Sequence, residues 1–263
     1  MTLTLLQYAL GAAAGSMVGF TLGLLGGGGS ILAVPLIVYL VGVNNPHLAI
    51  GTSAVAVAVN AATNLLNHAR SGHVNWPIAG LFAFVGVIGA LLGSSLGKVV
   101  DGQKLLALFA VLMLAVSVLM LRKRVGIQAI NVQLDRTNAP RLAVVGSMTG
   151  ALSGFFGIGG GFLIVPGLMY SARLPIIYAV GSSLVAVTAF GLTTALNYAT
   201  AGWVDWPLAA VFVVGGLVGG SVGARLSNHL SMCKGLLDAL FASLVFIVAL
   251  YMLYRSGQAF ALW

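Results

Sequence analysis

Long apolar runs without a single charge constrain this chain more than any other feature. Several extend for about 20 residues, the length that carries a helix across roughly 30 Å of hydrocarbon. Only 6% of the 263 residues are charged, against 60% hydrophobic, and the mean hydropathy is +1.08. So few charges cannot keep a globular domain in solution. In lipid the backbone groups must pair within their own segment, which leaves helices or a closed barrel. A barrel requires alternating polar and apolar residues, whereas these runs are continuous. The expected fold class is an all-α polytopic membrane protein.

The polar inventory narrows the function. The net charge of +8 is expected to set membrane topology through loop residues rather than to bind nucleic acid. The one cysteine, Cys233, excludes an internal disulfide and a cysteine-rich metal site. His47, His68, His73 and His229 form no i, i+4 pair and no metalloprotease motif. Met1 to Leu10 lacks a basic region, so a cleaved signal peptide is not expected. No metal, cofactor or catalytic residue is expected. An intramembrane enzyme would need a nucleophile–base pair or metal ligands at depth, and the sequence offers neither.

The chain repeats itself. Four glycines, Gly26 to Gly29, return 131 residues later as Gly157, Gly159, Gly160 and Gly161, and each set is followed in register by a proline, Pro35 and Pro166. Over 15–39 against 146–170, 12 of 25 positions are identical; over 51–97 against 181–227, 19 of 47 are. Such repeats are common in secondary transporters. Each half divides into five apolar segments: 3–24, 30–43, 48–68, 77–97 and 104–121, then 141–156, 161–172, 176–199, 206–225 and 235–254. The organisation is a first transmembrane repeat over 1–121, a linker over 122–140 and a second repeat over 141–263. The second segment of each half is short, with about 12 helical residues or some 18 Å. It either crosses with its glycines extended or dips in and returns.

Charge favours crossing. Arg122, Lys123, Arg124, Arg136 and Arg141 gather at the linker, which places it in the cytoplasm. If the short segments cross, the halves are inverted and both termini lie outside. The inside then collects nine basic residues: Arg70, those five, Arg173, Arg225 and Lys234. Only Lys98, Lys104 and Arg255 remain outside. Re-entrant short segments would leave seven inside and five outside, a weaker positive-inside bias.

The glycines divide into two kinds. Gly11, Gly15, Gly19 and Gly23 lie four apart, as do Gly146, Gly150 and Gly154, Gly89, Gly93 and Gly97, and Gly215, Gly219 and Gly223. That spacing lets helix backbones approach closely. Adjacent glycines point in several directions and cannot serve one interface. Glycine is also less favourable than alanine in a helix by about 1 kcal/mol per position. Each run is therefore expected to unwind and expose amides just before a new helix, whose N-terminus favours anions. Gly27, Gly28, Gly29, Gly159, Gly160 and Gly161 are the candidate donors to a small anionic substrate. Neither a dinucleotide fingerprint nor a phosphate-binding loop fits, because strand context, ribose-binding acid and the lysine pair are missing.

Thr52-Ser53 and Ser182-Ser183 open the third segments. They either cap those helices or donate to the anion. Asn60, Asn64 and Asn67 share one helix face, and Thr193, Thr194 and Asn197 follow in the second copy; they line a pore or bond between helices. No Asp, Glu, Lys or Arg falls in mid-span, which argues against a carboxylate proton carrier. Asp205 has the neutral counterpart Asn75, so the repeat does not require its charge.

The duplicated glycine run with its Val-Pro (Gly26 to Pro35, Gly157 to Pro166), the Gly-Thr-Ser and Gly-Ser-Ser starts and the Gly-x-Val-Asn/Asp-Trp-Pro loops resemble the TauE/SafE sulfite exporter family. The resemblance covers nearly the whole chain except the linker. It implies a bacterial inner-membrane protein, bathed in membrane lipid, that exports sulfite, an organosulfonate or a related sulfur-containing anion. The residues themselves leave an anion channel, or a transporter of another solute such as a carboxylate, as alternatives. Oligomeric state is not legible.

Overall fold

The structure is a computed structural model, and it describes residues 3–122, 134–135, 138–229 and 234–261. The described residues are helical apart from short turns. The long helices are α1 (Leu5–Leu25), α3 (Pro46–Arg70), α4 (Trp76–Val99), α5 (Gly102–Arg122), α6 (Ala139–Phe156), α8 (Ile176–Ala199), α9 (Trp206–His229) and α10 (Lys234–Ala261). The short second segment of the first half is a 3-10 coil over Gly26–Leu32, a single turn α2 (Ala33–Pro35) and a π turn over Leu36–Leu40. Its counterpart is α7 (Gly161–Ala172). All ten segments expected from hydropathy are present. Six described helices are long and apolar enough to cross a membrane. Leu92, Leu96, Phe84, Val144, Met148, Leu196, Val214 and Ile247 point outward from the bundle, as lipid-facing side chains do. Of the 122–140 linker only Arg122, 134–135 and 138–140 are described; the rest, with Cys233, lies outside the described residues.

The glycines spaced four apart decide which helices touch. Gly11, Gly15, Gly19 and Gly23 of α1 meet Leu208, Phe212, Gly216 and Gly220 of α9 in the same order. Likewise Gly146, Gly150 and Gly154 of α6 meet Phe82, Gly86 and Ala90 of α4. At most of these positions an added Cβ would strike the carbonyl of the facing helix. The expected packing role therefore holds: only glycine lets the two backbones come so close. Contacts in matching order mean that α1 runs parallel to α9, and α4 to α6.

The third helices pair across the halves. Gly51 of α3 meets Tyr198 and Trp203 at the end of α8, Gly191 meets Ala58 and Ala54, and Gly181 meets His73. The order is reversed, so α3 and α8 are antiparallel. Asn60 and Asn64 of α3 cover Gly216 and Gly220 of α9, which makes α3 and α9 parallel. Phe190 lies on Gly86, and Asn197 bonds Ser94 and Lys98, which makes α8 and α4 parallel. Helices α1, α3 and α9 therefore point one way, and α4, α6 and α8 the other. Helix α5 packs on α10.

The short segments return along the helices that precede them. Gly29 lies against Thr21 and Leu22 near the end of α1, and the Gln7 side chain at its start donates to the Val41 carbonyl at 3.1 Å. Gly160 sits by Ser153 and Thr149, and Gly167 by Val145. Each short segment thus runs back the length of its partner helix rather than turning about midway.

The Gly-x-Val-Asn/Asp-Trp-Pro loops are helix–helix joints. Gly72 and Gly202 take left-handed φ of 71° and 73°, and the next amides, of His73 and Trp203, close on His68 and Tyr198 carbonyls at 3.0 Å. This is the bond pattern of a Schellman stop. Asn75 and Asp205 then cap α4 and α9 by accepting from the Ile78 and Leu208 amides at 3.3 and 3.0 Å. A cap needs an oxygen and not a charge, which is why the repeat tolerates Asn in one copy and Asp in the other.

Candidate substrate site

The two broken segments meet. The 3-10 coil of Gly26–Leu32 packs on α7 and α8 and touches α3. In the second break Gly157 faces Ile50, and Gly159 faces Val57 and Val187, halfway along α3 and α8. The breaks thus sit together beside the antiparallel third helices. The acidic and basic residues of the flanking helices lie towards helix ends, as Arg70, Lys98, Arg141 and Arg173 do.

The copies differ in conformation. The second break leaves the helix: Gly157, Gly159 and Gly160 take φ of 69°, 39° and 67°. These left-handed angles suit glycine. Gly160 is the N-cap of α7, with no side chain capping it. The first intrahelical bonds run from the Leu163 and Ile164 amides to the Gly160 carbonyl, at 2.8 and 3.0 Å. The Gly161 and Phe162 amides precede them, as the orphan donors of a helix start. The first break does not unwind as expected. Gly26–Leu32 tightens into a 3-10 coil, in which amides bond three residues back. With no Cβ, Gly29 lies flush on Thr21 and Leu22, and the coil follows α1 instead of opening. Gly27, Gly28 and Gly29 are therefore less available as donors than Gly159, Gly160 and Gly161.

The hydroxyl pairs do not join one site. Thr52 accepts from the Asp205 amide at 3.0 Å, and Ser182 from the Asn75 amide at 3.0 Å. Ser53 and Ser183 donate to carbonyls of their own helices, of Ile50 and Val180, at 2.9 and 2.7 Å. All four residues are fully buried. Thr52 is level with the α8–α9 turn and Ser182 with the α3–α4 turn, so most of α3, about 27 Å, separates them.

The polar stripe is also divided. Asn60 and Asn64 are buried, while Asn67 is exposed at the helix end. Asn64 donates to the Asn60 carbonyl at 3.0 Å, whereas both side-chain polar atoms of Asn60 lack a partner. Thr193 bonds the Ala189 carbonyl at 2.8 Å, and buried Thr194 lacks a hydroxyl partner. Asn197 binds between helices: its amide donates to Ser94 at 2.6 Å and Ser95 at 3.1 Å, and its oxygen accepts from Lys98 at 2.7 Å. A separate cleft of about 670 Å³ opens nearby, lined by Asn45, His47, Lys98, Asp101, Gln103 and Trp203. His47 stacks on Trp203 there, with ring centres 4.7 Å apart. The cleft lies at the α8–α9 turn, away from the breaks.

One polar residue beside the second break escapes a repeat-based reading. Ser153 of α6 is 1% exposed and its hydroxyl has no partner. Its counterpart in the first copy is Leu22, so comparing the copies does not single it out.

An all-helical bundle with six described helices long and apolar enough to cross a membrane defines the class, a polytopic membrane protein. The family model described as sulfite exporter TauE/SafE matches residues 11–252, and the chain belongs to that family. A probable membrane transporter protein of Xylella fastidiosa (strain Temecula1) is 54% identical over 257 residues, covering 97% of this chain and 98% of that protein. The probable membrane transporter protein YdhB of Bacillus subtilis is 28% identical over 215 residues, covering 81% and 87%. These names are those of transporters and not of enzymes. No solved structure matches the chain.

Proposed function

We propose that the chain is a secondary transporter that exports a small anion, sulfite or an organosulfonate, across the bacterial inner membrane by alternating access. The observation that carries this reading is the meeting of the two broken segments beside α3 and α8. Amides of Gly159, Gly160 and Gly161 at the start of α7 are the principal donors, and the coil that holds Gly27, Gly28 and Gly29 packs on α7 from the other half. Such donors suit an anion because the helix N-terminus carries about half a positive charge. The sulfur oxyanion is suggested by the family description. Two buried polar residues, Asn60 and Thr194, hold unpartnered groups and are candidates for the solute path.

Helix directions support an inverted pair of repeats. α1, α3 and α4 oppose their counterparts α6, α8 and α9 in direction, the relation found in many alternating-access carriers. Described basic residues Arg70, Arg122, Arg141, Arg173, Arg225 and Lys234 fall at the end holding the α3–α4 turn, and Lys98, Lys104 and Arg255 at the other. The first end is therefore assigned to the cytoplasm, and both termini to the outside. Thr52 and Ser182 act as joints, each tying one half to a turn of the other. An anion leaving a negative interior gains about 2.3 kcal/mol per charge per 100 mV, so export can run on membrane potential.

The test is flux through purified protein in liposomes. Saturable efflux of sulfite or methanesulfonate that responds to an imposed potential is the expected result. No flux across a wide anion panel, carboxylates included, overturns the reading. Single-channel currents replace the carrier with a channel.

A further inference from the structure

We propose that Ser153 is a substrate-binding residue, and that it makes the second break the seat of the anion's oxygen-bearing head group. This rests on the transport reading above and adds one side chain to it.

Eight helical serines spend their hydroxyl on their own helix; Ser182 accepts from the Asn75 amide, and Ser256 in α10 is, like Ser153, buried without a partner. Ser53, Ser94, Ser95, Ser117, Ser147, Ser171, Ser183 and Ser221 each donate to a carbonyl three or four residues back, at 2.6 to 3.1 Å. Ser153 does not, although it is 1% exposed. An unbonded buried hydroxyl is unfavourable, because it has lost its bonds to water and gained none. Its oxygen lies 2.9 Å from where a Cβ of Gly160 would stand. Gly160 is the N-cap of the 12-residue helix α7 and lacks a side-chain cap. The unbonded hydroxyl thus lies against the cap residue of α7, next in sequence to the Gly161 and Phe162 amides, which have no intrahelical acceptor. This hydroxyl and those two amides are three neutral donors at one helix start, a set that suits a terminal XO2 or XO3 group of an oxyanion.

The first half does not reproduce this site. Leu22 stands in place of Ser153. The nearby Thr21 hydroxyl is already committed to the Val18 and Met17 carbonyls at 2.9 and 3.1 Å, and the glycines there are wound into a 3-10 coil. A chain with two similar halves therefore has one head-group site, in the second.

The experiment measures sulfite and methanesulfonate efflux from liposomes for wild type, Ser153→Ala, Ser153→Thr and Leu22→Ala. Losing a hydrogen bond to a charged group should raise the Ser153→Ala KM for both anions about tenfold or more, with little change in maximal rate. The threonine variant keeps the hydroxyl and should keep a KM close to wild type, as should Leu22→Ala, although the lost packing of that buried leucine lowers its stability. Wild-type flux with an unchanged KM in Ser153→Ala overturns this proposal and leaves the transport reading standing. Absence of wild-type flux overturns both. If the alanine variant does not insert, Ser153→Cys, similar in volume and a poor donor, makes the same comparison. Titration calorimetry of each purified variant with methanesulfonate should give one site per chain; two equivalent sites overturn the asymmetry.

Discussion

The Asp205 backbone amide donates to the Thr52 hydroxyl at 3.0 Å, joining the α8–α9 turn of one half to the first turns of α3 in the other. The repeat reproduces the bond as Asn75 to Ser182, also at 3.0 Å. Thr52→Val keeps the volume, removes the acceptor and leaves a partly buried amide unmade. It should destabilise the protein by about 1–3 kcal/mol, seen as a lower Tm in detergent. Thr52→Ser should be nearly silent. A Thr52→Val protein as stable as wild type would show that this bond does not hold the halves together.

Gly19 and Gly80 separate close packing from open surface. A Cβ at Gly19 would strike the Gly216 carbonyl, whereas one at Gly80 meets nothing within 4 Å. Gly19→Leu should push α1 off α9 and cost most of the monodisperse protein on size exclusion. Gly80→Ala should be neutral or stabilising, by up to about 1 kcal/mol. Equal yields from the two variants would contradict the observed α1–α9 contact.

Gly160→Val should abolish anion flux while leaving insertion intact. Its φ of 67° disfavours a β-branched residue, and its Cβ would press on Ser153. The change is confined to the α7 cap, so thermal stability should fall by only a few degrees. Gly28→Val should act more weakly, since Gly28 belongs to a coil whose amides bond one another. Equal loss of flux from both would restore the symmetric cradle that the repeated glycines suggest.

Much of the fold was legible because membrane helices announce themselves by length and apolarity. Observed segments begin and end within a few residues of the expected ones, except for α10, which extends to Ala261. The glycines spaced four apart named contact faces, though not their partners: nothing in the spacing says that Gly15 faces Phe212. The site was less legible. Duplication brought Thr52 and Ser182 forward together, yet antiparallel helices put such copies at opposite ends. Duplication also hid Ser153, whose counterpart is Leu22. A repeat highlights what both copies need, and a single site in a two-copy protein depends on what only one copy has.

The α3–α4 and α8–α9 turns offer a direct test of orientation. Ser71 and Ala201 are exposed residues of these turns, and they lie at opposite ends of the antiparallel pair α3 and α8. In a Cys233→Ser background, Ser71→Cys should react with an impermeant thiol reagent only after the cells are opened. Ala201→Cys should react in intact cells. The assignment follows from the basic residues near Ser71, among them Arg70, Arg122, Arg141 and Arg173, against Lys98 and Lys104 at the other end. Labelling in the reverse sense would keep the antiparallel pair and turn the protein over, making the α8–α9 end cytoplasmic. Labelling of both sites from the same side would contradict the opposed directions of α3 and α8, and with them the inverted repeat on which alternating access is argued.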